Sequence, residues 1–182
     1  MTTITRTALA AALLHITPTV VLVDRPDAVA RLLPGADKFF AREVHLSDAD
    51  AHKLHEAVDW SPPDGVLTFY SGRRSGALVG QLEFVRVDTP HGPLEVTVAF
   101  DTTGAVRGVI VTKATVETKP WVLEALRAGL VARYRGLKPS DTPDAASALD
   151  GSVSDLPRYM AREVDKGVAR ALAAYRFFYQ TR

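Results

Sequence analysis

Through the middle of the chain apolar and polar residues alternate; toward its end apolar residues recur every three to four positions. The alternation is cleanest in "LEVTVAFD" (94–101), which places Leu94, Val96, Val98 and Phe100 on one face. "VLTFY" (66–70), "ALVGQLEFVRV" (77–87) and "AVRGVIVTKA" (105–114) read as further strands. The turns between them are "SGRRSG", "DTPHG" and "TTG". Short Gly-containing loops join antiparallel neighbours, so these strands form a meander with an apolar face that must be covered.

The periodic segments supply the cover. "KPWVLEALRAGLVARYRG" (119–136) carries Val122, Leu126, Leu130 and Tyr134 at i, i+4 spacing, and "DLPRYMAREVDKGVARALAAYRFF" carries Met160, Val164, Val168, Leu172 and Tyr175 on one stripe. "LKPSDTPDAASA" between them is a loop. Before the meander, "DRPDAVARLLPG" reads as a short helix capped by Asp24 and stopped by Pro34-Gly35. "KFFAREVHL" follows as a strand, and "SDADAHKLHEAV" as a helix in which Ser47 and Asp50 form a variant capping box. The fold class is therefore α+β: an antiparallel β-sheet meander covered by helices. Tyr175, Phe177, Phe178 and Tyr179 in the tail cannot all face one helix core, so a partner surface is expected there.

The first 23 residues stand apart as an N-terminal apolar segment, with a single domain over 24–182. Arg6 precedes the run Ala8 to Leu14, as in a secretory signal or short anchor. His15 and Pro18 interrupt it, no clean A-x-A site follows, and the unbroken part falls far short of the ~20 residues of a spanning helix. An extracytoplasmic or membrane-associated location, through this segment, and a cytoplasmic one both remain open.

With 182 residues, 47% hydrophobic, a core of ordinary size needs no staples. The 22 basic and 21 acidic residues give a net charge of +1, which offers no broad attraction for nucleic acid. The absence of cysteine excludes disulfides, thiolate metal sites and thiol nucleophiles. No H-E-x-x-H, G-x-S-x-G or Walker pattern occurs, so no catalytic residue is assigned. His52 and His55 share a helix face without a third ligand and read as a solvated face; no metal site is expected. His15, His45 and His91 are scattered, and Arg73 and Arg74 read as a solvated turn.

Two stretches remain. "ALDGSVSDLP" (148–157) runs into the last helix, where unpaired N–H groups and a partial positive charge suit an anion. Gly151 allows close backbone approach, and Ser152 and Ser154 supply hydroxyls. Equally, Ser154 or Asp155 is an ordinary N-cap, and Asp150 and Asp155 repel a dianion. "TVETKPW" (115–121) joins the last strand to the next helix; Trp121 either stacks on a flat ring or belongs to the core, and Glu117 either faces a ligand or favours the helix start.

In their order these segments resemble the FMN-binding domain family, which includes small exported flavoproteins and the flavin subunits of Rnf-type and sodium-pumping quinone reductase complexes. The likeness spans about residues 20 to 175. It rests on "DRPDAVARLLPGADKFFAREVHLSD", on the hairpins and E-T of "GALVGQLEFVRVDTPHGPLEVTVAFDTTGAVRGVIVTKATVETKPW", and on "LRAGLVARYRGL". The resemblance implies an FMN-binding electron-transfer protein, an electron carrier or accessory subunit rather than a stand-alone catalyst, with a redox or assembly protein as partner. The family's S-G-A-T element, whose Thr carries FMN through a phosphoester in covalent members, aligns with Asp150-Gly151-Ser152-Val153-Ser154. Val153 has no hydroxyl, so no ester forms there. What the resemblance then implies is FMN held non-covalently, its phosphate at Gly151, Ser152, Val153 and Ser154 and its ring near Glu117, Thr118 and Trp121. The alternatives are a neighbouring serine as acceptor, or a flavin-free structural or assembly module that binds a protein partner.

Overall fold

The computed structural model describes residues 18–149 and 151–180. Its centre is a six-stranded antiparallel sheet: β1 (Thr19–Val21), β2 (Lys38–His45), β3 (Val66–Arg74), β4 (Ala77–Thr89), β5 (Gly92–Phe100) and β6 (Val106–Thr115). Strands β3 to β6 form the expected meander in sequence order, β2 joins it beside β3, and β1 closes the far edge beside β6. The helices are α1 (Arg25–Leu32), α2 (Asp48–Val58), α3 (Lys119–Arg127) and α4 (Asp155–Tyr175). The architecture is α+β. Residues 1–17, most of the apolar N-terminal segment, lie outside the described residues, whereas residues 19–21 belong to the sheet.

One sheet face carries the main core. Leu94, Val96, Val98 and Phe100 are buried there against Met160, Val164, Val168 and Leu172 of α4, as the two periodicities require. Gly167 sets the spacing: a Cβ at this position would lie 2.9 Å from Val96 Cγ2. Asp165, on the flank of α4, accepts hydrogen bonds from Tyr134 Oη at 2.8 Å and from the backbone N–H groups of Ala145 and Ala146 at 3.0 Å each. One carboxylate thus ties the 138–149 loop to the last helix.

The opposite face receives α1. Gly72, Gly80 and Gly108, on β3, β4 and β6, leave room for Leu32, Leu33 and Ala36; a Cβ on Gly72 would meet Ala36 Cβ at 2.9 Å, and one on Gly108 would meet Leu32 Cδ2 at 3.0 Å. Beyond α1 this face carries Glu95, which pairs with Arg25 at 2.6 Å and Lys113 at 3.2 Å and accepts from Thr112 at 2.9 Å. Burial pushes Glu95 up, but these bonds and charges outweigh it and hold the carboxyl below its ordinary value.

Four expectations are adjusted. "SGRRSG" is mostly strand: β3 continues through Arg74, and only Ser75 and Gly76, both with positive φ, make the two-residue turn. "DTPHG" likewise shortens to Pro90-His91, with Gly92 at φ 92° opening β5. The helix expected over 119–136 ends at Arg127, because Gly129 takes φ 85°; a 3-10 turn, Leu130–Tyr134, then keeps Leu130 and Tyr134 buried. The tail leaves α-helical spacing for a π-helical turn, Arg176–Gln180. That wider turn lets the chain absorb its own aromatics: Tyr175 stacks on Phe100 and Tyr179, and Phe69 meets both Phe178 and Tyr179.

Candidate functional site

The α4 N-terminus starts from an exposed loop. Gly151 takes φ 77°, a left-handed conformation with open space on its Cβ side. Ser152 folds back, its N–H and its hydroxyl both donating to Leu149 O, at 3.0 and 2.7 Å. Val153 packs its side chain against the main core, so the acceptor position of the resembled family is an apolar contact here. Ser154 is the N-cap in extended conformation, and its hydroxyl makes no capping bond. The first turn offers the N–H groups of Asp155 and Leu156, while Pro157 has none. Arg158, one turn in, donates to Val153 O at 3.3 Å and lies 3.6 Å from Asp155 Oδ1. The terminus thus carries donors and a guanidinium, opposed, among the described residues, by the exposed carboxylate of Asp155.

The β6–α3 turn is built differently. Thr118 is buried, and its bonds are internal: Thr115 N–H donates to its Oγ1 at 3.1 Å, its own N–H donates to Thr115 Oγ1 at 3.1 Å, and the two hydroxyls lie 2.9 Å apart. This reciprocal pair locks the turn and points Glu117 outward. Glu117 Oε1 lies 2.9 Å from His91 Nδ1. His91 is anchored in turn by Thr115, whose hydroxyl donates to its carbonyl at 3.1 Å.

His91 connects the two stretches. Its ring stands edge-on to Trp121 at 5.1 Å and to Tyr159 of α4 at 5.7 Å. Trp121, Val153 and Tyr159 all pack partly buried against the same core. The structure therefore brings Glu117 and Trp121 within a two-ring span of the first turn of α4, and it turns Thr118 inward as a structural hydroxyl.

Sequence reasoning missed His91, Tyr159 and Arg158. His91 sits in a hairpin turn 26 residues from Glu117, and only the pairing of β5 with β6 brings it there. Tyr159 and Arg158 fall one turn beyond Ser154, which is the one signal that could have marked them.

Chemically, a carboxylate bonded to Nδ1 fixes the tautomer of a neutral imidazole and leaves Nε2 as an acceptor. Among the described residues no group of three or more His, Asp or Glu is placed to hold a metal ion. No described helix is long and apolar enough to cross a membrane. No model of a known protein family matches this chain, and none of the curated proteins matches it.

Proposed function

We propose that this protein holds FMN non-covalently at the α4 N-terminus and serves as an electron-transfer protein. The observation that supports the reading best is a juxtaposition. A chain of aromatic rings, Trp121 to His91 to Tyr159, ends about one turn into the helix whose N-terminus carries Ser154 and Arg158. A flat ring and a phosphate are the two recognition problems FMN poses, and these residues fit them. Ser154 and Arg158, with the exposed Gly151 backbone, would hold the phosphate; Trp121 and Tyr159 would flank the ring system, and His91, set by Glu117, would supply a polar contact. Thr118 supports the turn without touching the ligand, and Ser152 shapes the loop. Val153 has no hydroxyl, so attachment is reversible. When bound, the flavin supplies the one- or two-electron chemistry, and the chain positions it.

Titration of the full chain with FMN and with riboflavin, followed by flavin fluorescence, tests this. FMN is expected to bind saturably and riboflavin at least ~10-fold more weakly, since a charge-assisted phosphate contact is worth about 1.5–3 kcal/mol. Trp121→Ala is expected to weaken both ligands. Equal affinity for the two would place the phosphate elsewhere.

A second reading, a flavin-free module that binds a redox or assembly partner, draws on β2. This strand, at the sheet edge among the described residues, exposes Phe39 and Phe40 at 48% and 50%. A stoichiometric complex that is lost in a Phe39→Lys, Phe40→Lys variant, from a protein that takes up no FMN, would favour it.

A further inference from the structure

Strand β2 forms the sheet edge opposite β1. It pairs with β3 over all eight of its residues without a bulge, and among the described residues no strand lies on its other side. Residues 38–43 are all exposed. Alternate backbone N–H and C=O groups of an edge strand point away from the sheet. A long, regular edge with two exposed phenylalanines is a template for another strand, and folded proteins cover or interrupt such edges.

The two faces of β2 differ. Phe39, Ala41 and Glu43 share one face with Tyr70, the cross-strand partner of Ala41 and a neighbour of the α1 cluster. Phe39 and Tyr70 line an apolar hollow of about 390 Å³ with Pro26 and Val29 of α1 and Phe84 of β4. Tyr70 and Phe84 meet edge to face at 5.4 Å, and Arg25 Cζ lies 4.5 Å above the Phe84 ring. A strand added beside β2 would place the side chain opposite Ala41 on this same face, with only a methyl group between it and Tyr70.

The other face of β2 carries Lys38, Phe40 and Arg42, and Arg73 of β3 stands opposite Lys38. Arg42 Cζ lies 6.0 Å from the Tyr179 ring. This face is therefore cationic on both sides of Phe40. A second copy laid antiparallel with Phe40 on Phe40 would set Lys38 opposite Arg42 twice, and like charges directly opposite are destabilising. Aspartate or glutamate opposite Lys38 and Arg42 is the complement.

We propose that β2 takes up an extended acidic segment of a partner protein as a further strand. In antiparallel register, acidic residues of the segment stand opposite Lys38 and Arg42, and an apolar residue opposite Ala41 fills the hollow. Backbone hydrogen bonds supply affinity, and the hollow and the cations supply selectivity. This rests on the reading in which a partner docks on β2 and gives that partner its chemistry. Neither β2 nor the hollow shares a residue with the proposed flavin site, so FMN uptake does not decide it.

The probe is the blocked peptide Thr-Lys-Glu-Leu-Val-Thr-Glu, whose glutamates fall opposite Arg42 and Lys38 and whose leucine falls opposite Ala41. NMR titration of the full chain is expected to show saturable binding, with the largest amide shifts in β2. A peptide N-methylated at the alternate residues that face β2 keeps its side chains but loses those hydrogen bonds, and it is expected to bind at least ~10-fold more weakly. Lys38→Glu is expected to weaken the parent peptide about fivefold, and a peptide with lysine in place of the last glutamate is expected to restore binding to that variant. Absence of saturable binding, shifts centred away from β2, N-methylation without effect, or no rescue by the swapped peptide overturns the proposal. A dimer in analytical ultracentrifugation that Phe40→Lys dissolves overturns it in favour of a second copy. If a native complex is lost in the Phe39→Lys, Phe40→Lys variant while the peptide does not bind, docking on β2 stands and strand addition fails.

Discussion

Three carboxyls, Glu83 and Glu95 buried and Asp165 partly so, illustrate how environment sets sign. Glu95 is held down because Arg25, Thr112 and Lys113 outweigh its burial. Its stabilisation is present above the ordinary carboxylate value and is lost as pH falls through its lowered folded value. Glu83 is the opposite case, since burial acts on it without a compensating partner. The folded chain holds a proton there that the unfolded chain has released, so stability falls as pH rises from the ordinary carboxylate value toward the raised one. Glu83→Leu should therefore stabilise the protein at pH 7 by about 1–3 kcal/mol, which is seen as a rise in Tm, and the gain should shrink toward pH 4. A loss of Tm equal at both pH values would contradict this. Asp165 is raised mainly by burial, against the bonds from Ala146, Tyr134 and Ala145. Asp165→Ala leaves that hydroxyl and those two N–H groups without their acceptor, and it should cost about 2–4 kcal/mol in a denaturant titration. At this scale the sequence shows little. Glu83 and Glu95 both look like solvent-facing positions of alternating strands, and only the cover on both faces of the sheet makes one an orphan beside Phe69 and Val98 and the other a hub.

At the scale of elements the patterns carry further. The alternation through 94–100 and the stripe from Met160 to Tyr175 both place buried residues correctly, because a covered sheet face and a long amphipathic helix leave a strong period. The errors share one cause, which is backbone conformation at single residues. Gly129 stops a helix whose apolar spacing continues, and the π-helical turn after Tyr175 shifts the phase of the tail. Neither is visible in hydrophobic periodicity. Gly167 is a related case: glycine is a poor helix former, yet here it is the contact that seats α4 on β4 and β5. Gly167→Ala gains helix propensity of about 1 kcal/mol but drives its Cβ into Val96 and Val87. Overpacking of this kind costs about 1–3 kcal/mol, so the net effect should be a lower denaturation midpoint. A raised midpoint would mean that α4 lifts off the sheet freely.

Over the whole molecule, the sheet separates two surfaces with different chemistry. The face under α3 and α4 carries the main core, and at one end of it His91 and Trp121 reach Tyr159 near the start of α4. The face beneath α1 is covered only in part and leaves Arg25, Tyr70 and Phe84 around an open apolar hollow. The loop at 151–154 was legible as a candidate because glycine and serines before a helix leave a local trace. Its partner residues were not, since a site assembled across a hairpin and two helices has no local spacing to read. The central claim is that this end carries FMN without a covalent bond. The most direct measurement is a visible absorption spectrum of the protein purified from its native host, followed by acid precipitation and intact mass of the pellet. The account predicts a flavin spectrum that passes entirely into the acid supernatant, leaving a pellet with the mass of the bare chain. A colourless protein that takes up no added FMN, or colour that stays on the pellet with the added mass of one FMN, would contradict it.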